Sequence, residues 1–426
     1  MRRYLKYFNK LLRLIISGNL QNILFRLIGL NNFITLMLKA VDHRGNQRAK
    51  KNILCIERSM FESDVNELSH RIRKYGWIWL KKSQITVYQT PILPKSHLYQ
   101  TEYLEKIKEA PKQWEECIQR SKILIKRFQK EKNICALMLG NIDYWQDYTL
   151  RAACKELGIP VLVLQKEYPY NDLLVDEELN HWRKFNYKPN ADAIMVFGKR
   201  MKEGYSRLPD FDANKVFVTG APRIDRWRSI ENSHQSNNEG LLIMSFMWTS
   251  KELFLDMLIK ISKYFKNENL GKITVKCRDP EDHQTVINTC KKENLENVDV
   301  VKPSAQLYDL VSQSKAVIGF KSLATIESML SVKPILIPDW FIKNKDEKLF
   351  NSTDTLCQTA VRLCENEQDL FYNLDQIFKN TTSEVSKECI NARKEFIGKF
   401  WEYDDHVTAS SKVQNVIDKL VEKIPN

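Results

Sequence analysis

Several things are scarce in this chain of 426 residues. It has nine cysteines but no Cys-x-x-Cys pair, and its seven histidines do not cluster at metal-ligand spacing. That pattern excludes a structural zinc site and predicts reduced, mostly structural thiols, as in the cytosol. No uncharged run approaches the ~18–20 residues that a spanning helix needs. The apolar stretch 15–28 is interrupted by Asn19, Gln21, Asn22 and Arg26, which excludes a cleavable signal. No self-similarity at a period of about 20–50 residues is present, so solenoid and propeller architectures are excluded. Nor is there a long disordered segment, since 43% of the residues are hydrophobic. A chain of this length exceeds one ordinary core, so two domains are expected.

Charge is present but unevenly placed. Residues 1–51 carry eleven Lys/Arg against the single acid Asp42, +10 of the chain's +13. The body is nearly balanced, which removes the electrostatic footprint of a nucleic-acid binder. Between these charges Tyr4, Leu5, Phe8, Leu11, Leu12, Ile15 and Ile16, then Ile23, Leu24, Phe25, Leu27 and Ile28, recur near helical spacing. The pattern predicts one or two amphipathic helices lying on an anionic membrane through residues 1–30, each basic residue adding roughly 1 kcal/mol near such a surface. The plainer alternative is a pair of helices packed on the domain with a solvated basic face.

The most informative segment runs from Ala316 to Trp340. Ala316–Ile318 reads as a buried parallel strand, Gly319–Ser322 as a turn, Ala324–Leu330 as a helix, and Ile335–Ile337 as the next strand, after Lys333-Pro334 stops the helix. Such a unit aims backbone N–H groups at the crevice above a sheet. It predicts a phosphate site with the Ser322 and Thr325 hydroxyls as further donors and Glu327 as an acceptor for ribose hydroxyls. An ordinary βαβ unit with a capping serine is the bland alternative.

Strand and helix patterns alternate along the whole chain. Before the polar stretch Ser229–Gly240, strands are expected at Asn52–Ile56, Trp77–Leu80, Ile85–Tyr88, Ile134–Leu139, Pro160–Leu164, Ala193–Phe197 and Lys215–Thr219, with a long helical region over Thr101–Gln129. After that linker, strands are expected at Leu241–Ser245, Ile273–Lys276 and Val298–Val301. The predicted organisation is N-terminal helices over 1–45, a Rossmann-like domain over 46–230, a second Rossmann-like domain over 241–400, and a closing helix over 401–426. The fold class is α/β, two doubly wound domains facing a cleft.

Several motifs carry a resemblance. These are L-G-I-P-V-L-V-L-Q from Leu157 to Gln165, A-D-A-I-M-V-F-G from Ala191 to Gly198, V-F-V-T-G-A-P-R-I-D from Val216 to Asp225, K-P-S-A-Q-L-Y-D-L-V from Lys302 to Val311, and the Gly319–Pro338 unit. In that order the chain resembles the GT-B glycosyltransferases that make bacterial surface polymers, similar to the CDP-glycerol glycerophosphotransferases and capsular Kdo transferases. The match spans roughly residues 130–350. It implies a nucleotide-sugar donor, a polysaccharide or lipid-linked acceptor, no bound cofactor or metal, and a place on the cytoplasmic face of the cell membrane. Two departures stand out. Where the glycerophosphotransferases have a His-Gly pair, Gln165 is followed here by Lys166-Glu167. Where a His-Pro pair is typical, this chain has Lys276-Cys277-Arg278-Asp279-Pro280.

Glycosyl transfer needs a base for the acceptor hydroxyl and stabilisation of the leaving phosphate. Arg223, Lys276 and Arg278 are the cationic candidates for the donor phosphates, with Gly319, Ser322, Thr325 and Glu327 completing the donor set. Glu167 is the first candidate for the base, beside the position of the missing histidine, and Asp143 is the second. Each has a bland reading: a solvated loop carboxylate for Glu167, an ion pair with Asp225 or a neighbour for Arg223, and a surface pair with Asp279 or Glu281 for Lys276 and Arg278. Two other functions fit the architecture. One is a UDP-GlcNAc 2-epimerase-like isomerase, although those enzymes carry an acidic/His cluster after the Pro160 strand that is missing here. The other is a non-catalytic module that binds a glycan or a membrane.

Overall fold

The computed structural model describes residues 21–58, 60–93, 103–141, 144–166, 176, 179–180, 182–184, 190–208, 211–232, 240–247, 250–341, 350, 354–379, 385–399, 401–402 and 406–422. The chain divides into two compact units, one made of residues 1–225 with 400–426 and the other of 226–399.

The N-terminal unit is built on a seven-stranded sheet. Its strands are β1 (Asp42–Gly45), β2 (Lys51–Ile56), β3 (Tyr75–Leu80), β4 (Ile134–Leu139), β5 (Val161–Leu164), β6 (Ala193–Val196) and β7 (Val216–Val218), in the spatial order β1-β3-β2-β4-β5-β6-β7. All pairs are parallel except β1 with β3. Apart from the antiparallel edge strand β1, which reads Asp-His-Arg-Gly, the strands are largely apolar, as befits strands covered on both faces. Side chains alternate across the pleat. Ile53, Cys55, Trp77, Trp79, Ala136 and Met138 thus share one core with Phe61, Val65 and Leu68 of helix Phe61–Arg71 and with Val413, Val416 and Ile417 of helix Ala409–Val421. The closing segment therefore belongs to this unit. Asp225 holds it there, accepting from the backbone N–H of Ala409 at 2.9 Å and of Ser410 at 2.8 Å.

The second unit carries a six-stranded, wholly parallel sheet. Its strands are β8 (Gly240–Met244), β9 (Ile273–Lys276), β10 (Val298–Val301), β11 (Ser314–Ile318), β12 (Ile335–Pro338) and β13 (Arg362–Cys364), in the order β10-β9-β8-β11-β12-β13. Leu241, Ile243, Ile273, Val275, Ala316 and Ile318 pack with Phe254, Leu258 and Ile261 of helix Lys251–Asn267 and with Leu370 and Leu374 of helix Glu367–Lys379.

Three sequence expectations change. Ile85–Tyr88 is helical, within Lys82–Gln89. Its β-branched residues favour a strand, but Gln84 caps the helix start by accepting from Lys81 N, and Ile85, Val87 and Tyr88 are buried. Packing overrides propensity there. The region Thr101–Gln129 is two helices, Tyr103–Glu109 and Pro111–Lys132, because Pro111 cannot continue the first and opens the second.

The third concerns the N-terminal helices. Helix Gln21–Ala40 is long and apolar enough, by length and composition, to cross a membrane. It is interrupted at Gly29, whose φ of 75° and ψ of 173° suit only glycine. Beyond this break Phe33, Ile34 and Met37 are fully buried in the N-terminal unit, so that half is a core helix and does not lie on a surface. Before the break Ile23 and Leu27 are exposed, at 57% and 78%.

Candidate functional site

In an open parallel sheet a crevice opens at the strand C-termini where the winding direction reverses. In the second unit the chain winds from β8 to β9 and β10, then crosses back to place β11 on the other side of β8. The switch point therefore lies between β8 and β11, at Met244-Ser245-Phe246 and Gly319-Phe320. Phe246 stacks on Phe320 with centroids 5.0 Å apart and planes 9° apart.

Gly319, Ser322, Thr325 and Glu327 all lie at this edge. Gly319 is required there because a Cβ would come 2.6 Å from both Cγ2 and Oγ1 of Thr325. Thr325 is fully buried, and its hydroxyl donates to the carbonyl of Phe320 at 2.7 Å and accepts from the Phe320 N–H at 3.1 Å. The hydroxyl expected to reach a phosphate thus ties down the turn instead. Ser322 caps helix Leu323–Ser328, its oxygen accepting from Thr325 N at 3.2 Å, and it is only half-buried. Of the two hydroxyls, Ser322 is the one within reach of a ligand.

The cations divide. Lys276 ends β9 and donates from Nζ to the carbonyl of Pro303 at 3.1 Å. Burial pushes its pKa down, opposed by the nearby Glu327 carboxylate. Glu327, 8% exposed, is set within electrostatic range of this lysine. Arg278 is exposed, its backbone N–H bound to Ser245 Oγ at 3.0 Å. The same hydroxyl donates to Asp282, whose carboxyl is pushed up chiefly by burial. Asp279 accepts from the N–H groups of Glu281 and Asp282 and so caps helix Pro280–Glu293. Arg223 belongs to the N-terminal unit. It is buried, with its guanidinium 2.7 Å from Asp64 and its backbone N–H 3.0 Å from the same carboxylate. A buried pair of this kind is a structural clasp, since losing one partner strands the other charge.

The N-terminal sheet has its own switch point, between β2 and β4. Arg58 follows β2, Lys82 follows β3, and Lys166 follows β5. Arg58 reaches Asp147 of helix Trp145–Glu156 at 2.6 Å, and both are buried. Both Arg58 and Lys166 lie over the Tyr144 ring, at 4.8 and 5.6 Å from its centre. The expectations for this edge rested on Asp143 and Glu167, which lie outside the described residues. Arg58, Lys82 and Asp147 carried no signal in the sequence, because only the strand order brings the ends of β2, β3 and β4 together. Among the described residues no group of three His, Cys, Asp or Glu could hold a metal ion.

No protein-family model matches this sequence, and no curated protein matches it. Solved structures do. S. aureus MnaA, in a co-structure with UDP, has a TM-score of 0.51 at 12% identity, covering 88% of this chain and 98% of the other. The UDP-GlcNAc 2-epimerase of Neisseria meningitidis bound to UDP-GlcNAc gives 0.48 at 13%, covering 88% and 100%. Acinetobacter baumannii MurG gives 0.44 at 13%, covering 87% and 99%. At such identities the likeness concerns the backbone alone. The likeness to MnaA, together with the two sheets, one wholly parallel and the other parallel but for β1, establishes that this chain is an α/β protein of the GT-B fold, with two Rossmann-like units.

Proposed function

We propose that this protein is a nucleotide-sugar-dependent glycosyltransferase acting on a surface polysaccharide or a lipid-linked acceptor. One observation carries the reading. The switch point of the second sheet brings the Gly319–Ser322 turn, the half-buried Ser322, the Lys276 ammonium and the Glu327 carboxylate to one strand edge. In their roles, turn N–H groups and Ser322 bind the donor phosphates, Lys276 and Arg278 supply positive charge, and Glu327 accepts from ribose hydroxyls. Glu167, or Asp143 in its place, takes the acceptor proton. Thr325 and Arg223 keep the structural roles their contacts give them. The exposed Ile23 and Leu27 on a basic N-terminal segment support peripheral attachment to the inner face of an anionic membrane.

A second reading, an epimerase-like isomerase, would use the same nucleotide edge. The UDP in the MnaA co-structure makes UDP the first nucleotide to try for both.

The test is a melting-temperature panel of UDP, CDP, CMP, GDP and their sugars. A ligand at a hundred times its Kd stabilises the native state by about 2.7 kcal/mol. A rise with one nucleotide, lost in Ser322→Ala with Lys276→Met, is the expected result. A nucleotide rise unchanged in that double variant would sink the site. With a nucleotide identified, conversion of the bare nucleotide sugar into an isomer, without acceptor, would favour the isomerase.

A further inference from the structure

We propose that Arg393 is a positioning residue of the nucleotide edge: from the core of the second unit it fixes the short helix that carries Ser322 and Glu327. That role rests on the nucleotide reading of this edge.

Arg393 stands on helix Lys387–Gly398 and is 2% exposed. Its Nε donates to the carbonyl of Ala360 at 2.8 Å, and its Nη1 to the carbonyl of Ser331 at 2.7 Å. Ala360 ends helix Thr355–Ala360, and Ser331 closes the turn that follows helix Leu323–Ser328. Both are carbonyls of the kind that a helix end leaves without a partner, where the helix dipole favours a cation. One turn earlier on the same helix, the Cys389 thiol also donates to the Ala360 carbonyl, at 3.4 Å. Among the described residues no carboxylate is paired with Arg393, and burial pushes its pKa down.

A desolvated guanidinium without a counter-ion is a poor source of stability, since an apolar side chain of similar volume often serves as well. What it supplies is direction, a planar fork that fixes two carbonyls at once. Direction is what the nucleotide edge needs. Helix Leu323–Ser328 has six residues, too few to stand as a helix by itself. Its start is tied through the Thr325 hydroxyl to both polar groups of Phe320. Its far end runs into Ser331, whose hydroxyl donates to the Ser328 carbonyl at 2.6 Å and accepts from Lys333 N at 3.3 Å. Arg393 takes the Ser331 carbonyl and so anchors that end to a helix 62 residues away. Ser322 and Glu327 lie between the two ties. A shift at Ser331 therefore moves both, because one short hydrogen-bonded helix moves as one body.

The experiment uses the full chain as wild type, Arg393→Met, Arg393→Lys and, as a control for stability alone, Leu374→Ala, a core substitution in the same unit. UDP, CDP, CMP and GDP are titrated calorimetrically below the melting range of every protein, and amide hydrogen exchange is followed over residues 322–331. Arg393→Met should weaken the nucleotide that wild type binds by about tenfold or more. It should also speed exchange at Thr325, Ile326 and Met329 relative to Leu242 and Ile243 of β8. Arg393→Lys keeps the charge but loses the fork, and should recover part of the affinity. Leu374→Ala should melt lower and bind as wild type does. A nucleotide bound equally by wild type and Arg393→Met would overturn the role and leave the nucleotide site standing. Equal weakening in Leu374→Ala would do the same, reducing Arg393 to a residue of stability. If Arg393→Met does not fold, Arg393→Lys decides alone: binding about threefold weaker supports the role, and wild-type affinity removes it. No nucleotide response in wild type would sink the nucleotide reading itself, and this role with it.

Discussion

At the scale of single residues, hydroxyls and cations that look alike in sequence separate by what they touch. Thr325 satisfies both polar groups of Phe320 inside the core. Thr325→Val keeps the shape but strands a buried N–H and a buried C=O. It should cost about 1–3 kcal/mol per group, read as a lower melting temperature, with any nucleotide effect following from the loosened turn. A variant as stable as wild type would show that the turn holds without this hydroxyl. Lys276 makes the opposite case. In Lys276→Met the ammonium is lost from a position where burial already disfavours it, so stability should change little. Nucleotide affinity should fall by about 1.5–3 kcal/mol, roughly ten- to hundredfold in Kd. The sign of the pH effect follows from the lowered pKa. Between that value and 10.5 the unfolded chain holds the proton that the folded chain has released, so Lys276 makes stability rise with pH in that window. Affinity for an anion should instead decline as pH rises through the lowered value. Titration calorimetry across alkaline pH, with Lys276→Met as control, measures both. An affinity flat up to 10.5 would remove Lys276 from the site.

At the scale of elements, the strands were the most legible part of the sequence, and their neighbours in space the least. Ile134–Leu139, Ile273–Lys276 and Val298–Val301 occur where expected: the first is apolar throughout because it is covered on both faces, the second alternates buried Ile273 and Val275 with half-buried Thr274 and Lys276, and the third is an edge strand with Asp299 exposed. Ile85–Tyr88 was misread because a short β-branched run suits a strand equally well, and the deciding contacts come from helices far along the chain. The N-terminal helix shows the same dependence. The sequence suggests one or two amphipathic helices, and Gly29 divides Gln21–Ala40 into a buried half and a half with Ile23 and Leu27 exposed. Removing residues 1–28 should therefore abolish co-sedimentation with anionic vesicles while leaving the fold intact, because the core residues Phe33, Ile34 and Met37 remain. Truncated protein that still binds vesicles would move the membrane contact to another surface. Truncated protein that no longer folds would show that residues 1–28 serve the core.

At the scale of the whole molecule, the chain leaves its first unit at Asp225, builds the second over 226–399, and returns to finish the first. Stopping the chain at residue 405 should then damage the N-terminal unit, although the deletion is C-terminal. Val413, Val416, Ile417 and Val421 are buried there at about 1.5–3 kcal/mol each, comparable in sum with a domain's entire 5–15 kcal/mol. Loss of soluble protein, or of the larger part of its cooperative melt, is the expected outcome. A wild-type melt would mean the returning helix is dispensable. The sequence by itself determined the α/β class, the two alternating halves, the turn at Gly319–Ser322 and the basic N-terminus, because each is written in local periodicity, turn chemistry or charge. Only the tertiary structure decided which strands are neighbours. That order sets the two switch points, pairs Arg223 with Asp64, turns Thr325 inward, and gathers Arg58, Lys82 and Lys166 from three separate strand ends. Contacts between residues tens to hundreds of positions apart depend on how the sheets are wound, and winding order leaves no mark on the local pattern of any one strand.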